Sequence, residues 1–233
     1  MQTMELSKIQ KNLKYIEDEI ENTRQKNSYK QEVKLVAVSK AKSEENILEA
    51  YNAGIRDFGE NKVQELLTKY ENLPKDVRWH FIGHLQTNKV KYIVDKVYLI
   101  HSVDSIKLAN EIEKEATRKD VICNVLIQVN ISGEESKFGI QKEDANELIR
   151  QVAKLPHINI KGLMTIAPKG EEENRVREIF KGLKQLCTDA DYFKQNNQKN
   201  CELSMGMSGD FKPAIIEGAT YVRIGTAIFG RRN

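Results

Sequence analysis

Eight short runs rich in β-branched and apolar residues recur along the 233-residue chain, and a turn and a stretch of helical period follow each of the first seven. The runs are KLVAVSK (34–40), RDFGEN (56–61), WHFIGH (79–84), VYLIHSV (97–103), NVLIQVNI (124–131), IKGLMTIA (160–167), ELSMGM (202–207) and YVRIGTAIFG (221–230). Strands that alternate with helices pair in parallel and need crossover helices on their faces, so an α/β class follows. The helical stretches begin near Ser43, Asn61, Thr87, Ser105, Lys142, Asn174 and Asp210, several at a residue whose side chain caps free amides. Eight units in about 200 residues predict a TIM (β/α)8 barrel, with an open doubly wound sheet as the alternative.

No room remains for a helix after the eighth run. Residues 4–25 carry Leu6, Ile9, Leu13, Ile16 and Ile20 on one helical stripe. This N-terminal helix is predicted to cover the gap, although the stripe would also serve an interface. Pro74, Pro156, Pro168 and Pro213 fall at predicted loops or helix starts, and no flexible linker divides the chain. A single domain over 1–233 is expected.

Composition narrows the function class. Apolar residues make up 39% and charged residues 30%, which is globular usage. The formal charge of +3 is spread along the chain, which argues against a nucleic-acid partner. No apolar run exceeds four residues, far below the roughly 18 of a membrane span, and the opening lacks a secretory core; a cytoplasmic protein is expected. Cys123, Cys187 and Cys201 show no C-x-x-C spacing and read as reduced packing residues.

In a barrel the residues that close each run face a common mouth: Lys40, Asn61, His84, Ser102, Asn130, Thr165, Ser204 and Arg223. A lysine ending an apolar strand is a candidate to form a Schiff base with an aldehyde; the plainer alternative is a strand end that reaches solvent. Barrels commonly hold phosphate with the loops after strands seven and eight. Those loops offer Ser204, Gly206, Ser208, Gly209, Gly225 and Thr226 as hydroxyl and amide donors. Arg223 lies two residues before Gly225 and points to the same side, where a guanidinium meets a ring nitrogen; a wall residue paired with Glu217 is the alternative. Lysine, phosphate cradle and arginine together are what pyridoxal 5′-phosphate requires. His80 and His84 lie on a strand, about 13 Å apart, and do not share a metal. His101 and His157 carry no partner signal.

VAVSK (36–40), FGEN (58–61), WHFIGHLQTNK (79–89), VNISGEESKFGI (129–140), KGLMTIAP (161–168), LSMGMSGD (203–210) and VRIGTAIFG (222–230) together resemble the pyridoxal phosphate homeostasis protein family. That family is similar in fold to the N-terminal barrel of bacterial alanine racemase. The resemblance implies that Lys40 bears the cofactor as a Schiff base, that Arg223 stands beside the ring nitrogen and that Ser204, Gly225 and Thr226 contact the phosphate; Gly206 joins the expected cofactor-binding residues from the loop reading above. Asn61 and Met205 match pocket positions, and Phe138 departs from the family pattern in its loop.

The racemase borrows a tyrosine from a second β-domain, which this sequence lacks, so the resemblance implies a cofactor carrier in intracellular homeostasis rather than an enzyme. A monomer is expected, with pyridoxal-phosphate-dependent apo-enzymes as possible recipients. The alternatives are an amino-acid racemase or decarboxylase that uses Tyr51 or His84 as a second base, a lysine aldolase or phosphosugar isomerase, and a regulatory binder of such enzymes. Lys137, Arg231 and Arg232 are candidates for a looser secondary site, set against simple solvated charge.

Overall fold

The computed structural model of the chain describes residues 6–27, 29, 31–134, 137–195 and 201–231. Its strands are β1 (Lys34–Val38), β2 (Asp57–Glu60), β3 (Arg78–Phe81), β4 (Leu99–Val103), β5 (Cys123–Asn130), β6 (Ile140–Gln141), β7 (Ile158–Met164), β8 (Glu202–Ser204) and β9 (Tyr221–Ile224). The helices are α1 (Lys8–Gln25), α2 (Glu44–Asn52), α3 (Val63–Asn72), α4 (Val90–Ile93), α5 (Ile106–Lys119), α6 (Ala145–Val152), α7 (Glu173–Asp189), α8 (Asp191–Gln195), α9 (Phe211–Ile216) and α10 (Thr226–Phe229).

All strand pairs are parallel, and the ring closes through β4–β5 and β9–β1. Eight strands make the barrel expected from the repeats. The two-residue β6 is an addition that no hydrophobic run announced: it pairs with the far end of β5 through Val129 and Ile140, outside the ring. The connecting loop is drawn back over β5, because Gln128 donates to the Phe138 carbonyl (3.1 Å) and Asn130 to the Glu134 carbonyl (2.8 Å).

Hydroxyl caps start several helices as expected. Ser7 and Gln10 form a reciprocal capping box on α1, Ser43 accepts from the Asn46 amide, and Ser105 accepts from the Leu108 amide. The α1 stripe is buried through Ile9, Leu13, Ile16 and Ile20, while Leu6 stays exposed. It packs against α2, α9 and α10, and Asn12 donates to the Ile228 carbonyl (2.8 Å). The stripe is therefore engaged within the barrel wall, each side chain contributing about 1.5–3 kcal/mol of burial, and is not left for an interface. One turn of helix, α10, does follow the last strand, where none was expected.

Two hydrophobic clusters divide the core. Val36, Leu99, Leu126, Met164 and Tyr221 fill the inside of the ring, and a larger layer lies between strands and helices. The thiols also differ from the sequence reading: Cys187 and Cys201 are joined in a disulfide, Cα atoms 6.2 Å apart, because the last turn of α7 lies beside the start of β8. Cys123 remains a buried free thiol, pushed up to about 12 by burial. Among the described residues no helix is long and apolar enough to cross a membrane.

Candidate functional site

The C-terminal ends of β1, β8 and β9 meet around one buried cation. Arg223 is 4% exposed and lies inside the ring. Its Nη1 donates to the Ser204 hydroxyl and its Nη2 to the Thr165 carbonyl (2.9 Å). Among the described residues no carboxylate lies within ion-pair distance of it. Burial lowers the guanidinium to about 10, against the more distant pull of Asp210, so it is still a cation at neutral pH. The proposed pairing with Glu217 does not occur: Glu217 holds Arg177 (2.6 Å) on the outer layer.

Behind Arg223 runs a line of buried hydrogen bonds down the barrel. Ser204 Oγ meets His101 Nδ1 (2.8 Å), His101 Nε2 meets His80 Nδ1 (2.9 Å), and His80 Nε2 meets Asp57 Oδ1 (2.8 Å). Arg78 closes the line by donating to Asp57 through Nε (2.8 Å). Burial alone would raise the Asp57 carboxyl, but the bonds from Arg78 and His80 outweigh it and hold it below its ordinary range. Burial lowers both His80 and His101, so both are neutral at pH 7.

The proton positions then follow. An ionised Asp57 only accepts, so the His80 proton is on Nε2 and its Nδ1 accepts from His101. The His101 proton is on Nε2, and its Nδ1 accepts from Ser204. Ser204 in turn accepts from Arg223, which only donates. From Arg223 to Asp57 every bond points the same way, from the mouth to the floor, and Arg78 meets Asp57 from the other side.

This line corrects several expectations. Ser204, expected as a phosphate contact, has its one proton engaged by His101 and its oxygen by Arg223, and it is fully buried. Met205 is fully buried in the layer outside the ring, on the face opposite Ser204, and does not present its side chain to the mouth. Ser102 also faces outward, buried with no hydrogen-bond partner; His101, its neighbour, is the inward residue. Asn130 organises its own loop, accepting from Ser132 Oγ and the Gly133 amide.

The remaining expected residues do surround the mouth. Lys40, half-buried, follows β1 in a turn with Ala41. Asn61 follows β2, and Gly83 permits its close approach: a Cβ there would lie 2.3 Å from the Asn61 carbonyl oxygen. The loop after β8 is set against the loop after β9, with the Arg223 amide donating to the Gly206 carbonyl (3.0 Å) and the Ala227 amide to Ser208 Oγ (3.3 Å). Gly206 has φ +91° and sits where a Cβ would meet Ala214, so both the turn and the packing require glycine. Gly225 and Thr226 open α10 beside the end of β1.

His84 stacks on Phe138 (ring centroids 4.5 Å) and reaches Asp104 at 3.7 Å, so the departing phenylalanine forms part of the rim. Tyr51, weighed as a second base, donates instead to Asp76 (2.7 Å) under the Arg56 guanidinium, on the outer layer. His157 pairs with Glu113 (2.8 Å) outside the ring. Lys137 lies 3.9 Å from Glu134, the Arg231 carbonyl accepts from Lys42 (3.2 Å), and Arg232 lies outside the described residues. A cavity of about 620 Å³, bordered by Lys34, Glu202 and Tyr221, opens at the N-terminal strand ends, the face where barrels do not place their chemistry.

The donor set fits a particular kind of ligand. A buried cation without a counter-ion among the described residues calls for an acceptor from the mouth side. Two loops with close-packed backbone suit an anion beside it, and a half-buried lysine stands at the rim.

Comparison with known proteins gives the same direction. The family described as alanine racemase, N-terminal domain, matches residues 6–233. A pyridoxal phosphate homeostasis protein of Aquifex aeolicus is 49% identical over 200 residues, covering 85% of this chain and 87% of that one. The structure of PipY from Synechococcus elongatus with pyridoxal phosphate bound superposes with a TM-score of 0.82 at 34% identity, covering 95% of this chain and 100% of PipY. An alanine racemase of Clostridium difficile shares the fold at a TM-score of 0.73 and 16% identity, with 95% of this chain and 57% of the racemase covered.

Proposed function

The chain belongs to the pyridoxal phosphate homeostasis protein family, and on that premise we propose that it binds pyridoxal 5′-phosphate as a Schiff base on Lys40 and carries it without transforming amino acids. The observation that carries this reading is Arg223, a buried cation with no carboxylate partner among the described residues, held by Ser204 and Thr165 beside two glycine-containing loops. A group that can only donate suits an unprotonated ring nitrogen. Gly206, Gly225 and Thr226 supply backbone and a hydroxyl for the phosphate, and Asn61 borders the ring. Ser204 serves the site by seating Arg223 rather than by touching the phosphate.

Lys40 would hold the cofactor through its neutral amine: a C=N double bond would replace the aldehyde C=O, and the oxygen would leave as water with the amine's two hydrogens. The reverse, with water or an acceptor enzyme's amine, frees the cofactor and needs no oxidant or reductant. The bound group supplies an electrophilic ring, which a permanently donating arginine leaves as a weak electron sink. Racemisation needs proton donors on both faces, and Tyr51 is bonded to Asp76 away from the mouth. Carriage in the cytoplasm by a monomer, with delivery to pyridoxal-phosphate-dependent apo-enzymes, follows from the same reading.

Borohydride reduction of loaded protein and peptide mapping test it. The label is expected on Lys40 and lost in Lys40→Ala. A label retained elsewhere, or racemisation of alanine at ordinary enzyme rates, would overturn the proposal.

A further inference from the structure

The residue before Lys40 and the residue after it are both gripped from outside the ring. The Ser39 carbonyl accepts from the Lys42 amide (3.0 Å), closing a turn with Lys40 and Ala41 at its corner. Ala41 has φ +56°, a conformation that L-residues other than glycine rarely take unless the surroundings impose it. Here they do. Lys69 Nζ, on α3, donates to the same Ser39 carbonyl (2.9 Å), and Glu65 Oε2, one turn earlier, accepts from the Ala41 amide (2.9 Å). Ser39 Oγ donates to Glu60 Oε1 (2.6 Å), which also accepts from Lys69 (2.7 Å), and Lys69 lies 3.5 Å from Glu65. Lys69 is 6% exposed and Glu60 is fully buried, with its Oε2 unpartnered.

A buried ion pair is a poor device for stability alone, because desolvation offsets most of its attraction. This one is aimed: a cation at the peptide carbonyl preceding Lys40, an anion at the peptide N–H following it. Resting on the reading that Lys40 forms the imine, we infer that Glu65, Lys69 and Glu60 are positioning residues for Lys40. They hold a strained turn so that its amine enters the mouth at the aldehyde's place. None of them touches the ligand; they act through backbone.

Two ligands separate positioning from general integrity. Pyridoxal 5′-phosphate needs the lysine, whereas pyridoxine 5′-phosphate has the same ring and phosphate with an alcohol in place of the aldehyde. Loss of one backbone hydrogen bond in Glu65→Ala is expected to weaken pyridoxal 5′-phosphate about tenfold and pyridoxine 5′-phosphate less than about twofold. Glu65→Gln, which keeps an acceptor, retains most of the affinity. Ala41→Gly on the Glu65→Ala background restores most of the loss, since glycine takes the left-handed turn unaided. Equal losses for both ligands, or none for either, would overturn the inference. Lys40→Ala runs alongside: if it still binds the aldehyde more tightly than the alcohol, Lys40 is not the imine lysine, and both readings fall.

Discussion

Two buried polar assemblies stand behind the mouth, and they are built on opposite principles. Inside the ring, Asp57, His80, His101, Ser204 and Arg223 are joined in series, with charge only at the ends and every proton direction determined by its neighbours. Outside it, Glu60, Lys69 and Glu65 crowd charge around one turn and leave a carboxylate oxygen of Glu60 without a partner. The series arrangement satisfies a buried cation with neutral groups at the end of the line nearest the mouth. The crowded arrangement uses charge to hold backbone in a shape it would otherwise avoid.

The largest test of that contrast is Lys69→Met. It strands the Glu60 charge and should lower the unfolding free energy by about 3–5 kcal/mol, while the Glu60→Met/Lys69→Met pair returns close to the parent. Denaturant unfolding of both reads the difference, and a double variant as weak as the single would mean the charges are not the issue. His101→Leu breaks the inner line and orphans neutral groups rather than a charge, so a smaller loss of about 2 kcal/mol is expected; a loss as large as that of Lys69→Met would erase the contrast.

Acid separates the two histidines from Glu60 by sign. His80 and His101 are held below their ordinary value of about 6.5, so the unfolded chain takes those protons first and stability declines as pH falls from about 6.5. Burial raises Glu60 above its ordinary 4.5, so the folded state takes that proton first, and between the raised value and about 4.5 acid favours folding. Urea unfolding from pH 4.5 to 7.5 should show Glu60→Gln with a steeper acid decline than the parent. The smallest effect belongs to neither assembly: Phe138→Ala, on the exposed rim, should change stability by no more than about 0.5 kcal/mol.

The barrel and the helix that covers its gap were legible because strand runs, caps and the Ile9–Ile20 stripe are local patterns. So were the positions of Lys40, Arg223 and the two loops at or just after the C-terminal ends of their strands, which follow from strand order. What could not be read was which face each strand residue takes. Parallel barrel strands are buried on both faces and show no alternation, so Ser102 was assigned inward where His101 is, and Met205 toward the pocket where it packs outward. His80 and His101 were invisible as partners for the same reason: their contact joins two strands through the interior. The Cys187–Cys201 link depends on where α7 ends relative to β8, a distance no spacing encodes.

The way α1 seats has a consequence for synthesis. Its neighbours include α9 (Phe211–Ile216) and α10 (Thr226–Phe229), far along the chain from it. During synthesis α1 must therefore wait, its apolar stripe uncovered, until those two helices have been made. A stalled or truncated product would display that stripe to whatever chaperone or protease is near, which makes it a built-in mark of incompleteness.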